Sequence, residues 1–403
     1  MRVVIVGGGL AAATVAEQLR EKGFAGSVDL VTAENHRPYQ RPPLSKGYLL
    51  GSEGRDGVYA HAAGWEESQN ITLHLADAAV RIGDGTVTLE SGTELAFDRL
   101  VLATGASPRA FEIPGSDAAG VRVLRTIDDA DRLRADLEGG GRRVAIIGSG
   151  WIGLETAAAA RELDNFVTVI SPDRVPLARA LGDEMGEVFL DLHREHGVVF
   201  LGERHATAFE TGSDGAVTGV RVGDDVIPAD LVIVGIGAVP NTALAEAAGI
   251  AVDNGMLVDA HMNTSVPGVL AVGDVAHVLH PVLGERIRTE HWGTAIESGK
   301  VAAATIMGEE ASLDSVPYFF TDQYDLGMEF SGYAPLMAGA HLIIRGNTTV
   351  REFIAFWVAD GRVVAGMNVN IWDVNEQVQR LIRDRVGVDE ARLADAEVPL
   401  AEL

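Results

Sequence analysis

Two glycine clusters hold the residues best suited to chemistry with phosphates. In the first, Gly7, Gly9 and Ala12 follow the run Val3-Val4-Ile5-Val6 and fit G-x-G-x-x-G/A. That spacing makes a tight turn, lets the backbone approach a pyrophosphate closely, and leaves a small residue where strand and helix pack. The second, Gly148-Ser149-Gly150-Trp151-Ile152-Gly153, repeats the pattern with all three glycines, after Val144-Ala145-Ile146-Ile147. One fingerprint is weak, because glycine-rich turns also arise for backbone reasons. Two, each between an apolar run and a helical stretch, point to two dinucleotide sites.

Other residues could complete such sites. Glu34 ends the strand expected over 28–32, about 20–25 residues beyond the first glycines, where an acid suits two ribose hydroxyls. An exposed loop glutamate is the plainer alternative. Arg37-Pro38-Tyr39-Gln40-Arg41-Pro42-Pro43-Leu44-Ser45-Lys46 has three prolines in a short span, which predicts a stiff, extended loop. Its cations could fix charged ligand atoms or be a solvated basic turn. Asp274 follows Val269-Leu270-Ala271-Val272-Gly273 at a strand's carboxyl end, where α/β sheets bind ligands, or it caps the next segment.

Positioning these residues takes an alternation of buried strands and helices. Strands are expected over 71–75, 86–89, 98–106, 167–170 and 231–241, the third and last ending in small-residue turns, and helices over 128–137 and 292–307. Beyond Pro317 the texture becomes aromatic and alternating, at 318–320, 341–345, 353–357 and 363–369. This predicts an antiparallel sheet closed by a helix over 373–385. The acidic last stretch is expected to be loosely attached.

Composition narrows the function. The 403 residues suffice for two or three domains. There is no cysteine, which removes structural disulfides, thiolate metal sites, a cysteine nucleophile and a dithiol redox pair. No metal site is expected. A net charge of −26 argues against nucleic-acid and membrane-surface binding. No apolar run reaches the roughly 18–20 residues of a membrane helix. The apolar stretch after Met1 has almost no basic leader and carries the fingerprint glycines, so a cytoplasmic protein is expected. Lysines are scarce (Lys22, Lys46 and Lys300), which draws attention to Lys46.

Six motifs carry a resemblance that spans essentially the whole chain. They are Pro38-Tyr-Gln-Arg-Pro-Pro-Leu-Ser-Lys46, Leu102-Ala-Thr-Gly-Ala106, Gly148-Ser-Gly-Trp-Ile-Gly-Leu-Glu155, Val272-Gly-Asp-Val275, Arg288-Thr-Glu-His-Trp292 and Phe320-Thr-Asp-Gln-Tyr-Asp325. The sequence resembles the FAD-dependent ferredoxin reductases of bacterial oxygenase and cytochrome P450 systems, within the glutathione-reductase-like flavoproteins. The resemblance implies an α/β fold with two Rossmann-like dinucleotide-binding domains and a C-terminal α+β interface domain. An FAD domain (1–112 and 243–317) would be split by an NAD(P)H domain (113–242), with the interface domain at 318–403.

By the same resemblance, Gly7, Gly9, Leu10, Ala11 and Ala12 meet the FAD pyrophosphate and Glu34 its adenosine ribose. Arg41, Lys46, Val80, Ala103, Thr104, Gly105, Arg125, Gly273 and Asp274 line the cofactor, with Asp274 at the ribityl chain. Gly148, Gly150, Ile152, Gly153, Gly235 and Gly237 serve the nicotinamide dinucleotide. Lys46 and Glu155 meet beside the flavin and tune it, while Trp292 packs near the flavin or is a core aromatic. His291 is an acid–base candidate or merely packed, and Trp151 shapes the nicotinamide site or covers its helix.

NADH-preferring relatives place Glu where this chain has Ser171, followed by Asp173, Arg174 and Arg179. Either Asp173 replaces the missing acid, or Arg174 pairs with a 2′-phosphate, so NADH is expected with NADPH possible. The implied partner is a ferredoxin, docking on a local basic patch at Arg286 and Arg288, with rubredoxin as an alternative carrier. An oxidase, a quinone reductase or a monodehydroascorbate-type enzyme is the other reading. Either a monomer or a homodimer fits.

Overall fold

Unbroken apolar runs build the central sheet of each of two units. The computed structural model of the chain describes residues 1–385 and 387–403. Unit 1 comprises Met1–Arg41, Arg55–Ser107 and Val239–Phe319, and unit 2 comprises Pro42–Gly54, Pro108–Ala238 and Phe320–Leu403.

In unit 1 the strand Arg2–Val6 lies between Ser27–Val31 and Arg99–Leu102, with Ile71–His74 and Val269–Ala271 at the two edges. All four pairings are parallel. Val3, Val4, Ile5, Leu100 and Val101 are fully buried, as a parallel sheet covered on both faces requires. The helix Leu10–Glu21 packs on Trp292–Met307. Gly299 permits that crossing, since a Cβ there would lie 2.9 Å from Thr14 Cβ and 3.0 Å from the Ala11 carbonyl oxygen. Thr86–Leu89 joins a three-stranded antiparallel sheet with Ala79–Ile82 and Glu94–Ala96.

Unit 2 repeats the plan. Arg143–Ile147 lies between Phe166–Ile170 and Leu231–Val234, with Val199–Leu201 and Val121–Arg122 outside them, again all parallel. The expected helix over 128–137 appears as Ile127–Leu137, closed by a capping box between Thr126 and Asp129. The aromatic C-terminal segments form a five-stranded sheet ordered Tyr318–Gln323, Leu326–Gly332, Arg362–Val369, Glu352–Ala359, His341–Asn347. Helix Asn375–Asp384 lays Val378, Leu381 and Ile382 on it. Gly366 admits the helix, because a Cβ there would fall 2.4 Å from Val378 Cγ1.

Two expectations are corrected. The proline-rich segment contains a 3-10 turn, Pro42–Ser45, followed by a short helix, Gly47–Leu50. Prolines fit the first positions of such a turn because their missing N–H groups would have no partner there. The acidic end is tied down as well. Leu393 of the helix Glu390–Ala394 is fully buried, and Arg345 donates to the carbonyls of Asp395, Ala396 and Val398. Arg380 donates to those of Leu400 and Leu403. Among the described residues no helix is long and apolar enough to cross a membrane, and no cluster of metal-ligating side chains occurs.

Candidate functional site

The two fingerprints make nearly identical backbone cradles. Helix Leu10–Glu21 starts at Gly9 (φ −96°, ψ −176°), and helix Trp151–Glu162 starts at Gly150 (φ −79°, ψ −175°). Neither start has a side-chain cap or an acid in its first turn, so the first N–H groups, which lack intrahelical partners, are left without a capping side chain. The glycines divide the work. A Cβ on Gly7 would lie 2.1 Å from the Ala103 carbonyl oxygen, and one on Gly148 would lie 2.3 Å from that of Gly235. These two let neighbouring strand ends close up. Around Gly9 and Gly150 a Cβ would meet nothing within 4 Å, which leaves the helix starts open to a ligand. Gly153 allows the helix to sit on the turn, since a Cβ would come 2.4 Å from the Gly148 carbonyl oxygen. Ala12, fully buried, holds that place in the first copy, while Leu10 and Ala11 open its helix. Two uncapped helix starts with clear approaches fit two pyrophosphates.

In unit 1 Glu34 sits beyond the first cradle. Its Oε2 accepts from Tyr39 Oη at 2.5 Å, and its Oε1 accepts from Arg41 Nη2 at 3.3 Å. Thr104 Oγ1 donates to the Asn241 carbonyl at 2.8 Å, and Asn241 Nδ2 returns a bond to the Thr104 carbonyl. Gly105 is left-handed (φ +66°), as this small-residue turn requires. Gly273 donates its N–H to Ser298 Oγ, and Asp274 lies in the 3-10 turn Gly273–Val275. Val80 is exposed on Ala79–Ile82. Trp292 opens its helix and donates Nε1–H to Gln40 Oε1 at 2.8 Å. The His291 ring lies 4.7 Å from Phe319, and its enclosed Nδ1 has no hydrogen-bond partner. Burial lowers its imidazole to about 4, so the ring is neutral near pH 7 and a poor proton donor there.

In unit 2 the lone loop lysine finds its partner. Lys46 Nζ lies 2.8 Å from Glu155 Oε1, with side chains only 16% and 5% exposed. Thr321 Oγ1 donates to the same Oε1 at 2.6 Å, and Ser45 Oγ donates to Oε2. The Lys46 ammonium is also 5.6 Å from the centre of the Phe320 ring. Burial raises the neighbouring Asp322 carboxyl despite the opposing effect of Lys46. Sequence reasoning misses Ser45, Thr321, Gln323 and His193 around this pair. The first, second and third lie inside motifs quoted above for their resemblance, while His193 carries no signal.

Ile152 is exposed and Gly237 is left-handed (φ +99°) with open space around it, while Gly235 lies against Gly153. Arg125 leads into the Thr126 cap, its N–H donating to Asp129 Oδ2. The Trp151 ring meets Phe189 edge-to-face at 5.8 Å. Three candidate residues have partners of their own. Ser171 is fully buried, bonded to Ser149 Oγ at 2.7 Å and accepting from the Asp173 N–H. Arg174 is held by Glu187 at 2.5 Å and Asp183 at 3.1 Å, which raise its pKa and offset the charge a 2′-phosphate would need. Arg288 is only 12% exposed, bonded to Glu290 and the Asp274 carbonyl, and so offers no surface cation. Arg286 is exposed yet donates to the Val258 and His277 carbonyls, and Arg179 pairs with Asp173 at 3.1 Å.

Residues 1–299 fit the family described as pyridine nucleotide-disulphide oxidoreductase, and residues 318–403 fit the domain described as reductase C-terminal. The ferredoxin–NAD(+) reductase component of the anthranilate 1,2-dioxygenase system of Burkholderia cepacia is 39% identical over 402 residues, 98% of each chain. Putidaredoxin reductase of Pseudomonas putida is 37% identical over 409 residues, covering 100% of this chain and 96% of that one. The crystal structure of the covalent putidaredoxin reductase–putidaredoxin complex superposes with a TM-score of 0.95 at 36% identity, covering 100% of this chain and 97% of that chain. The chain belongs to the pyridine nucleotide-disulphide oxidoreductase family and is similar along its whole length to putidaredoxin reductase.

Proposed function

We propose that this protein is an FAD-dependent NAD(P)H:ferredoxin oxidoreductase, delivering electrons to a ferredoxin that feeds an oxygenase or a cytochrome P450. The observation that carries the reading is a pair of open, uncapped fingerprint turns in a chain with no cysteine. The family's dithiol chemistry therefore has no residues here. Bound FAD would supply the redox chemistry, taking a hydride from nicotinamide and releasing electrons one at a time.

The protein's own residues bind and orient. Gly9 to Ala12 hold the FAD pyrophosphate, Glu34 the adenosine ribose and Asp274 the ribityl chain. Arg41, Val80, Ala103, Thr104, Gly105, Arg125 and Gly273 line the cofactor. Gly148, Gly150, Ile152, Gly153, Gly235 and Gly237 receive the nicotinamide dinucleotide. The Lys46 ammonium favours negative charge on a reduced ring and Glu155 balances it, so the pair tunes the site without being consumed. NADH is the preferred coenzyme, because the carboxylates around Arg174 oppose a 2′-phosphate. The three-domain division is FAD (1–112 and 243–317), NAD(P)H (113–242) and interface (318–403), in a cytoplasmic protein.

An acidic ferredoxin meeting a chain of charge −26 needs a local basic dock. Arg288 is little exposed and paired with Glu290, so Arg286 is the more accessible candidate of the two. The test is partition of turnover. The purified protein, given NADH, should reduce [2Fe–2S] ferredoxins faster than rubredoxin, oxygen or quinones, and the rate should fall with salt. Faster reduction of rubredoxin, oxygen or quinone would assign the corresponding alternative.

A further inference from the structure

Unit 2 contains a connected line of buried polar side chains that ends on Glu155. Thr321 and Gln323 are two residues apart on one strand, so both point to one side, and they are 0% and 1% exposed. His193, fully buried on the helix Asp183–Glu195, has Nε2 at 2.8 Å from Gln323 Oε1. Gln323 Nε2 donates to Thr321 Oγ1 at 3.2 Å. Thr321 Oγ1 donates to Glu155 Oε1 at 2.6 Å, the oxygen that also meets Lys46.

Chemistry at the far end sets the direction of the whole line. A carboxylate oxygen accepts, so the single Thr321 hydroxyl proton goes to Glu155. Thr321 must then accept from the amide nitrogen of Gln323, which turns the amide oxygen toward His193 and places the imidazole proton on Nε2. The other ring nitrogen, Nδ1, is enclosed without a hydrogen-bond partner, as expected for a neutral ring whose one proton is already placed. Burial, which lowers this imidazole to about 4, agrees with that state. Four buried groups from three separate elements thus share one hydrogen-bond order.

We propose that Gln323 and His193 are positioning residues for Glu155, acting through Thr321 to hold the carboxylate in the orientation that faces Lys46. This rests on the reading of Lys46 and Glu155 as the pair that tunes the flavin. Ser45 fixes the second carboxylate oxygen independently. Losing Gln323 therefore releases only the Oε1 side, by freeing the Thr321 hydroxyl to rotate.

The test uses the FAD-loaded protein and two readouts: single-turnover flavin reduction by NADH, and the flavin midpoint potential at equilibrium. Gln323→Leu should slow reduction by about two- to tenfold, the size of one neutral hydrogen bond, and Thr321→Val, which removes a bond to a carboxylate, by about tenfold or more, both with KM for NADH unchanged. Both should shift the potential in the same direction as Glu155→Gln, and Thr321→Ser should restore rate and potential. In the Thr321→Val background Gln323→Leu should add nothing, because its effect passes through the missing hydroxyl. Should Gln323→Leu fail to fold, Gln323→Glu draws the Thr321 proton away from Glu155 and should give the same slowing. An undiminished Gln323→Leu effect in the Thr321→Val background would overturn the proposal. So would wild-type rate and potential in Thr321→Val and Gln323→Glu while Glu155→Gln slows reduction. If Glu155→Gln also changes nothing, the reading of the pair itself falls.

Discussion

The two fingerprint units share a backbone plan and differ in what their side chains do with it. Each places a parallel strand at the centre of five and opens a helix at an uncapped glycine. At the same distance after the first glycine, one copy has Thr14 and the other Glu155. Thr14 is spent on packing, its hydroxyl donating to the Leu10 carbonyl and its body against Gly299. Glu155 is spent on charge, taking Lys46, Thr321 and Ser45. Beyond the next strand the copies agree again. Thr32 and Ser171 are buried and accept from the N–H groups of Glu34 and Asp173, whose partly exposed carboxylates pair with Arg41 and Arg179. Backbone geometry provides for a diphosphate twice, and a few side chains decide which dinucleotide arrives and what happens to it.

Making the second copy more like the first should break this contrast most severely. Glu155→Thr is expected to slow flavin reduction by about a hundredfold with flavin content unchanged, because Lys46 is left as an unbalanced, largely buried charge. Stopped-flow reduction by NADH checks it, and a wild-type rate would remove the role assigned to the pair.

Each unit also holds one imidazole lowered by burial to about 4, His291 in unit 1 and His193 in unit 2. Between that value and 6.5 the unfolded chain binds the extra proton. Stability present above pH 6.5 is therefore lost as pH falls toward 4. For His193 the loss from pH 6.5 to pH 5 is about 1.5 kcal/mol. Denaturant melts should show a shallower acid decline in His193→Gln than in the parent, and parallel curves would contradict the assignment.

The smallest expected effect concerns the coenzyme. Asp183→Asn together with Glu187→Gln frees Arg174 and should raise kcat/KM for NADPH relative to NADH by about fivefold. An unchanged ratio would mean that Arg174 does not reach the coenzyme.

Much of this architecture is legible in the sequence alone. Apolar runs and glycine spacing locate both central sheets, because a doubly covered parallel strand admits few polar residues. The strand Leu326–Gly332 escapes that reading although Leu326, Met328 and Phe330 alternate inward, since the motif just before it is conspicuous for its polar residues. Resemblance pairs Lys46 with Glu155, but nothing in the sequence joins Thr321, Gln323 and His193 to them. Hydrogen bonds between side chains from different elements leave no periodic trace. The partners of Arg174 and Arg288 are illegible for a related reason. Sequence gives the charge of an arginine, while its neighbours decide whether that charge is available.

The division of labour between the copies can be tested with one pair of variants. Gly9 and Gly150 start their helices in extended backbone with open space around them, so aspartate fits as a helix cap and puts a carboxylate where a phosphate would sit. The measurement is the flavin-to-protein ratio after desalting, followed by anaerobic addition of NADH. Gly9→Asp should be folded and colourless. Gly150→Asp should keep its flavin and resist NADH while dithionite still reduces it. A yellow Gly9→Asp protein, or a Gly150→Asp protein that has lost its flavin, would contradict the assignment of FAD to the first copy and nicotinamide to the second.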